Sequence, residues 1–262
     1  MSAYYFMKII YIAGYGRSGS TLADVILSNR SGTFGLGEIA NLPRRSPSSD
    51  YLPIWNNCIA YLNTQFNAAV LKNSSKCDYS FNRCNSTNYK KLWLALFNYI
   101  QHNHNEKIDA FVDSSKTTWK TLLRPKRLQQ SGFDIYIIHL KRNRKNVFAS
   151  TLQGNNRTLK KRSNAKKNYA FGIKSVISRA LINLLTKFLY KRPGYNYKIM
   201  HYEKLIEDPA LFIREVYGFC GINYLNDKNY IERIKFNSYY PGTAFEGNRM
   251  RTENNCIAIK NG

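Results

Sequence analysis

Acidic side chains are scarce in this chain. Only 16 Asp and Glu stand against 40 Lys and Arg in 262 residues, a formal net charge of +24. The imbalance excludes an acidic surface, and its field attracts polyanions and anionic nucleotides while saying nothing about fold. Histidine is scarcer still, with four, and the five cysteines (Cys58, Cys77, Cys84, Cys220 and Cys256) include no CxxC pair. Zinc-site spacing is therefore missing, and no metal site is expected. Free thiols are the expectation, with Cys77 and Cys84 the pair near enough in sequence for a disulfide. Long apolar runs are also missing: nothing approaches the roughly 18 residues that a membrane span needs. The N-terminal run Met7 to Ala13 is short and leads into glycine, so it reads as a core strand and not as a signal peptide. A cytoplasmic protein without a membrane span is expected. No internal repeat is present, which excludes a repeat array.

What is present suffices for one folded domain. Hydrophobic residues make up 44% of the chain, enough to bury a core, and the length suits a single large α/β unit. Lys8 to Ala13 is a continuous apolar run before glycine, the pattern of a buried parallel strand. Ser20 to Asn29 reads as a helix and Pro43 to Pro53 as a loop. Trp55, Ile59, Leu62, Phe66 and Val70 recur at helical spacing. Asn73 to Ser86 reads as a polar insertion, and Tyr89 to His102 as an amphipathic helix. Ile108 to Asp113 predicts a short strand, Thr118 to Gln130 a helix disturbed near Pro125, Asp134 to Leu140 a strong strand, and Lys145 to Leu152 a helix. Arg157 to Lys167 is basic with no acid, Phe171 to Leu189 reads as a long apolar helix, and Tyr197 to His201 as a strand. Asp208 caps a last helix that has Pro209 in its first turn and Gly221 just past its end. Strands alternating with helices predict an α/β fold: a single P-loop-like domain over residues 1–262, with a central parallel sheet flanked by helices on both faces. The basic and helical stretch at about 155–192 has no assigned role in this reading.

The sharpest feature is Gly14-Tyr15-Gly16-Arg17-Ser18-Gly19-Ser20-Thr21, set between the first strand and a helix. Glycines let a backbone approach an anion closely, and amides at a helix N-terminus point at it. The spacing approaches a Walker A loop, but the position that must be lysine is Ser20, and the cation sits inside the loop as Arg17. The run resembles the 5′-phosphosulfate loop of the sulfotransferases that use 3′-phosphoadenosine-5′-phosphosulfate (PAPS), in particular bacterial and tyrosylprotein members with an Arg-Ser-Gly-Ser/Thr-Thr loop. The resemblance implies that Arg17, Ser18, Gly19, Ser20 and Thr21 bind the phosphosulfate, with Arg17 beside the transferring group.

PAPS carries a 3′-phosphate, which requires a second anion site. Arg142 follows a strand, and Ser150 lies eight positions later on a predicted helix. A guanidinium and a hydroxyl on one face can share a phosphate, and this Arg-to-Ser spacing resembles the family's 3′-phosphate motif. Arg144 and Lys145 read as solvated, and His139 as a core residue. His201-Tyr202-Glu203-Lys204-Leu205 with Asp208-Pro209 resembles a late segment of many members, which places Tyr202 near the adenine end. Phe245 to Arg251 resembles a nucleotide-closing loop, with Gly247, Asn248 and Arg251 as the matching positions. The resemblance spans about residues 8 to 251.

Sulfuryl transfer needs a base for the acceptor and positive charge for the departing phosphate. Arg17 and Lys116, the latter in an Asp113-Ser114-Ser115-Lys116 run at a strand end, are expected to supply charge. Glu38, in Gly35-Leu36-Gly37-Glu38, resembles the family's carboxylate base. No Lys-Thr-His segment is present, and His102 and His104 are poor substitutes. The function expected is metal-free, in-line sulfuryl transfer from PAPS to an acceptor hydroxyl, leaving 3′-phosphoadenosine-5′-phosphate. A carbohydrate acceptor comes first, then a tyrosine-containing peptide or a small metabolite. Two other classes compete: a P-loop kinase or ATPase with Asp113 as magnesium ligand, and a basic nucleic-acid or polyanion binder. No zinc-finger spacing or aromatic RNP motif supports specific nucleic-acid recognition.

Overall fold

A computed structural model describes residues 7–78, 86–143, 165–240, 242, 245 and 257–258. Five parallel strands form its sheet: β1 (Lys8–Ala13), β2 (Thr33–Gly37), β3 (Ala110–Asp113), β4 (Asp134–Lys141) and β5 (Asn196–His201), in the order β2-β3-β1-β4-β5. The α/β class and the parallel sheet agree with the sequence reading. Alternate residues of β1 serve different cores. Ile9 and Tyr11 join Phe34, Trp55, Trp93, Phe97 and Phe111 on one face, while Ile10 and Ile12 join Val25, Ile26, Phe212 and Val216 on the other. A strand buried on both faces is continuously apolar for this reason.

Helix α1 (Ser20–Ser28) follows β1. A 3₁₀ turn (Ile39–Arg44) follows β2 and leads to α2 (Pro53–Gln65), α3 (Ala68–Lys76) and α4 (Ser86–His102). The apolar period from Trp55 to Val70 is split between α2 and α3, because the Asn67 side chain accepts from Val70 N and starts a new helix. Helix α5 (Arg124–Gln130) has Pro125 in its first turn, so the proline opens this helix where the sequence reading had it disturb one. Helix α6 (Ala165–Tyr190) precedes β5. Then come α7 (Tyr202–Glu207), α8 (Pro209–Cys220) and α9 (Lys228–Lys235). Asp208 caps α8 through Leu211 N at 2.8 Å, and Gly221 ends it at φ 60°, as expected. A two-residue pair, β6 (Ser238–Tyr239) with β7 (Ile257–Ala258), completes the described elements.

Strand β2 has no counterpart in the sequence reading. It forms the sheet edge, and Phe245 covers it through a parallel bridge to Gly37. Asn73 to Ser86 is not a mere polar insertion: α3 runs through Lys76, and Asp78 is buried. The free-thiol expectation holds for Cys58 and Cys220, whose burial pushes both thiols up to about 12. It fails for Cys77, which caps the C-terminus of α3 and is disulfide-bonded. Among the described residues, no helix is long and apolar enough to cross a membrane.

Candidate active site

The chain leaves β1 through α1 toward β2, and leaves the neighbouring β4 in the opposite direction toward β5. Loops that part in this way open a crevice at the carboxyl ends of the two strands. All five strand ends feed the same end of the sheet. Arg17 lies beyond β1, Glu38 directly follows β2, Lys116 follows β3, Arg142 follows β4 and Tyr202 follows β5.

The loop after β1 is built around close contacts. Gly19 sits at φ 93°, and a Cβ there would lie 2.1 Å from the Tyr202 ring. A Cβ on Gly14 would meet Ser18 Oγ at 2.3 Å, whereas Gly16 has open space on that side. Arg17 adopts φ 69°, a left-handed conformation that costs a non-glycine residue on the order of 1–2 kcal/mol. The Arg142 guanidinium lies 4.2 Å over the Tyr202 ring and donates from Nη1 to Arg17 O at 3.3 Å. Buried Arg179, on α6, donates to Arg142 O at 2.5 Å, fixing the end of β4.

The loop after β3 is strapped to the first one. Thr117 N donates to Gly14 O at 2.9 Å, and Gly14 N donates to Thr117 Oγ1 at 3.2 Å. Lys116 Nζ forms an ion pair with Glu38 Oε1. Asp24, buried in α1, accepts from Ser114 Oγ at 2.5 Å and from Gly37 N at 3.1 Å, which holds together the loops that carry Lys116 and Glu38. Glu38 N donates to Phe245 O at 2.7 Å. A cavity of about 120 Å³ beside the pair is lined by Glu38, Asn41, Arg44, Lys116, Thr118 and Lys120, among others.

Asp113 sits differently. Arg124 Nε donates to its Oδ2 at 2.7 Å and Ser115 N to its Oδ1 at 2.9 Å, and the residue is buried. Both oxygens are committed to the protein, which leaves Asp113 poorly placed to serve as a magnesium ligand. Buried His139 is a core residue, with Nδ1 accepting from Tyr197 OH at 2.6 Å and Nε2 donating to Asn183 Oδ1 at 3.2 Å.

A family model described as a sulfotransferase domain matches residues 8–244. The chain belongs to the sulfotransferase family. Among solved structures it is similar to the sulfotransferase domain from the curacin biosynthetic pathway, at 18% identity over 97% of this chain and 88% of that one, with a TM-score of 0.56. A sulfotransferase domain from the Synechococcus PCC 7002 olefin synthase is 18% identical over 95% of this chain and 80% of its own, with a TM-score of 0.47. A sulfotransferase from Alicyclobacillus acidocaldarius is 13% identical over 86% and 88%, with a TM-score of 0.46. Among curated proteins none matches.

For a sulfotransferase, the fit of a phosphate-bearing donor can be tested on atoms that the protein leaves over. Ser18 Oγ and Arg142 Nε are buried with no hydrogen-bond partner among the described residues, and buried polar groups are seldom left so. One lies in each of the two candidate anion sites. The sulfotransferase therefore brings Arg17, Ser18, Gly19, Ser20, Thr21, Arg142 and Tyr202 together on one side, and Glu38 with Lys116 on the other. Ser150, Gly247, Asn248 and Arg251 lie outside the described residues. The sequence reading missed Asp24, Thr117 and Arg179. Asp24 and Arg179 did carry a signal, since each is a charged residue in phase with the apolar face of its helix.

Proposed function

We propose that this sulfotransferase takes PAPS as donor and transfers its sulfuryl group to an acceptor hydroxyl. The observation that carries the reading is the pair of orphaned buried polar atoms, Ser18 Oγ and Arg142 Nε, at the carboxyl ends of adjacent strands. In this reading Arg17, Ser18 and the first-turn amides of α1, which have no intrahelical acceptors, hold the 5′-phosphosulfate. Arg142 holds the 3′-phosphate, joined by Ser150. The Tyr202 ring, fixed between Gly19 and the Arg142 guanidinium, borders the nucleoside. Gly247, Asn248 and Arg251 complete the cofactor contacts. The donor supplies an activated sulfuryl group; the residues around it supply position and charge.

Glu38 is the proposed base. Lys116 takes its Oε1, and Oε2, which has no partner among the described residues, is left to accept the hydroxyl proton. The same ammonium, with Arg17, stabilises charge that grows on the departing phosphate. Such preorganised donors are worth about 100- to 1,000-fold each in other enzymes, and these roles require no metal. The acceptor enters by the cavity of Asn41, Arg44 and Thr118, and its polar lining suits a carbohydrate hydroxyl. We place the reaction in the cytoplasm, whose reducing conditions would open the Cys77 disulfide; alkylation of intact cells under non-reducing conditions tests that location.

Calorimetry tests the donor. 3′-Phosphoadenosine-5′-phosphate should bind without metal, ATP–Mg²⁺ should bind far more weakly, and Arg142→Ala should lose about 100-fold or more in affinity for the former. Tighter binding of ATP–Mg²⁺ would transfer the site to kinase chemistry.

A further inference from the structure

Helix α6 has a buried face of mixed polarity and an exposed apolar one. Arg179, Ile182, Thr186 and Tyr190 form the buried one. Ile177, Leu181, Leu184 and Phe188 form the other, and they are 55%, 47%, 64% and 76% exposed. Their spacing of four, three and four residues keeps them in one stripe, on the side of the helix opposite the buried face. Four large apolar side chains in one exposed row are unlike the scattered apolar residues of an ordinary surface.

The charges on α6 beside the stripe and just past its end are of one sign, and an acid at the end of β4, Glu203, accepts from Asn143 N at 2.8 Å. Lys187 lies on its flank, exposed Lys191 and Arg192 follow the end of the helix, and Lys141 stands on the adjoining strand end. Burial and the nearby Lys187 and Lys191 hold the Lys141 ammonium below its usual range, so these cations crowd one another. A cavity of about 470 Å³ runs from the stripe to the candidate 3′-phosphate site and is lined by Lys141, Arg142, Arg179, Leu181, Leu184 and Lys187, among others. No Asp or Glu occurs between Asp134 and Glu203. A second copy laid on this face would set cation against cation with no acid to pair. A surface of anionic headgroups over acyl chains complements both features, with phosphate for the lysines and hydrocarbon for the stripe.

We propose that this face of α6 docks onto an anionic bilayer surface, with Leu184 and Phe188 entering the acyl boundary and Lys187, Lys191 and Arg192 engaging headgroups. The proposal does not depend on the choice of donor or acceptor.

The test is flotation of the full chain with vesicles of phosphatidylglycerol and phosphatidylcholine, and with phosphatidylcholine alone. Leu184→Glu/Phe188→Glu serves as the variant and Phe188→Trp as a probe. The wild type should float with the anionic vesicles only. The double variant should lose about tenfold or more in partitioning with an unchanged melting temperature, since both side chains face solvent. Tryptophan emission from the probe should shift to the blue with anionic vesicles and be quenched by brominated acyl chains. Equal flotation of the double variant would reduce the attraction to bulk charge and overturn the proposal. So would a lipid-free dimer that the double variant dissociates, because a second copy would then own the stripe. Probe emission already blue-shifted in a lipid-free monomer would assign the stripe to residues 144–164 and overturn it as well.

Discussion

Two ion-pair clusters start from one four-residue run, and they differ in what they leave over. Asp113 and Asp78 face Arg124 in the interior. Arg124 donates to both, Tyr89 OH donates to Asp78 Oδ1 at 2.6 Å, Ser115 N takes the last oxygen, and the guanidinium lies 4.0 Å over the Trp93 ring. All four carboxylate oxygens are occupied. Three residues further on, Lys116 meets Glu38 at the rim of a cavity, 37% and 17% exposed, and one carboxylate oxygen has no partner among the described residues. The chemical groups are nearly the same. The first cluster spends its carboxylate oxygens on holding the sheet to α4 and α5 and leaves over only Arg124 Nη2, a donor sealed in the interior, whereas the second leaves over an acceptor beside a cavity.

The contrast can be broken most forcefully at Arg124. Arg124→Met leaves two buried carboxylates without a counter-charge, and a loss of about 3–5 kcal/mol is expected in urea unfolding. Glu38→Gln should do the reverse, with kcat falling about 100- to 10,000-fold while the melting temperature and the affinity for 3′-phosphoadenosine-5′-phosphate hold. A comparable loss of stability in both variants would erase the distinction.

Acid sharpens it next. Burial lowers His139 to about 4 from its usual 6.5, and Tyr197 and Asn183 satisfy the neutral ring. Between those values the unfolded chain binds more protons than the folded one, so stability falls as pH drops through that window and is unaffected above it. The loss amounts to about 3 kcal/mol at the lower end. Chemical denaturation at pH 7 and pH 4.5 measures it, and His139→Gln should flatten that part of the profile. The glycines give the smallest effects. Gly19→Ala should lose about 1–2 kcal/mol from its positive φ alone, plus the displacement of Tyr202. Gly16→Ala should shift stability by less than about 1 kcal/mol, because a Cβ there meets open space, and on the proposed donor reading it should still weaken nucleotide binding.

How much of this was legible depends on what each residue must answer to. The strands β1, β3 and β4 were readable because both of their faces are largely buried, which forces apolar runs; β5, half-buried at the sheet edge, was read from the shorter run Tyr197 to His201. Strand β2 was not, because Thr33-Phe34-Gly35-Leu36-Gly37 is broken by glycine. The reason for Gly35 is distant: a Cβ there would press on Asp24 at 2.6 Å and on Ser28 at 2.9 Å. The loop after β1 was readable as lying at a strand end because its glycines and the helix that follows are local signals. The roles of Asp78 and Arg124 were not, since an acid in a polar stretch and an arginine beside proline look solvated until the fold brings them within 3.3 Å. The break between α2 and α3 escaped because the apolar period runs on across Asn67.

The position of β1 governs how this protein is born. Of the five strands it is made first, yet it lies in the middle of the sheet, and its partners β3 and β4 begin about 100 and 125 residues later. At bacterial and eukaryotic synthesis speeds that separation amounts to roughly 5–25 s. Throughout that interval Ile9, Ile10, Tyr11 and Ile12 have no neighbouring strand, and the anion loop has no second wall. The apolar side chains of Lys8–Ala13 are buried only once Lys141 has emerged, so expression yield should respond to chaperone supply more than to the stability of the finished fold.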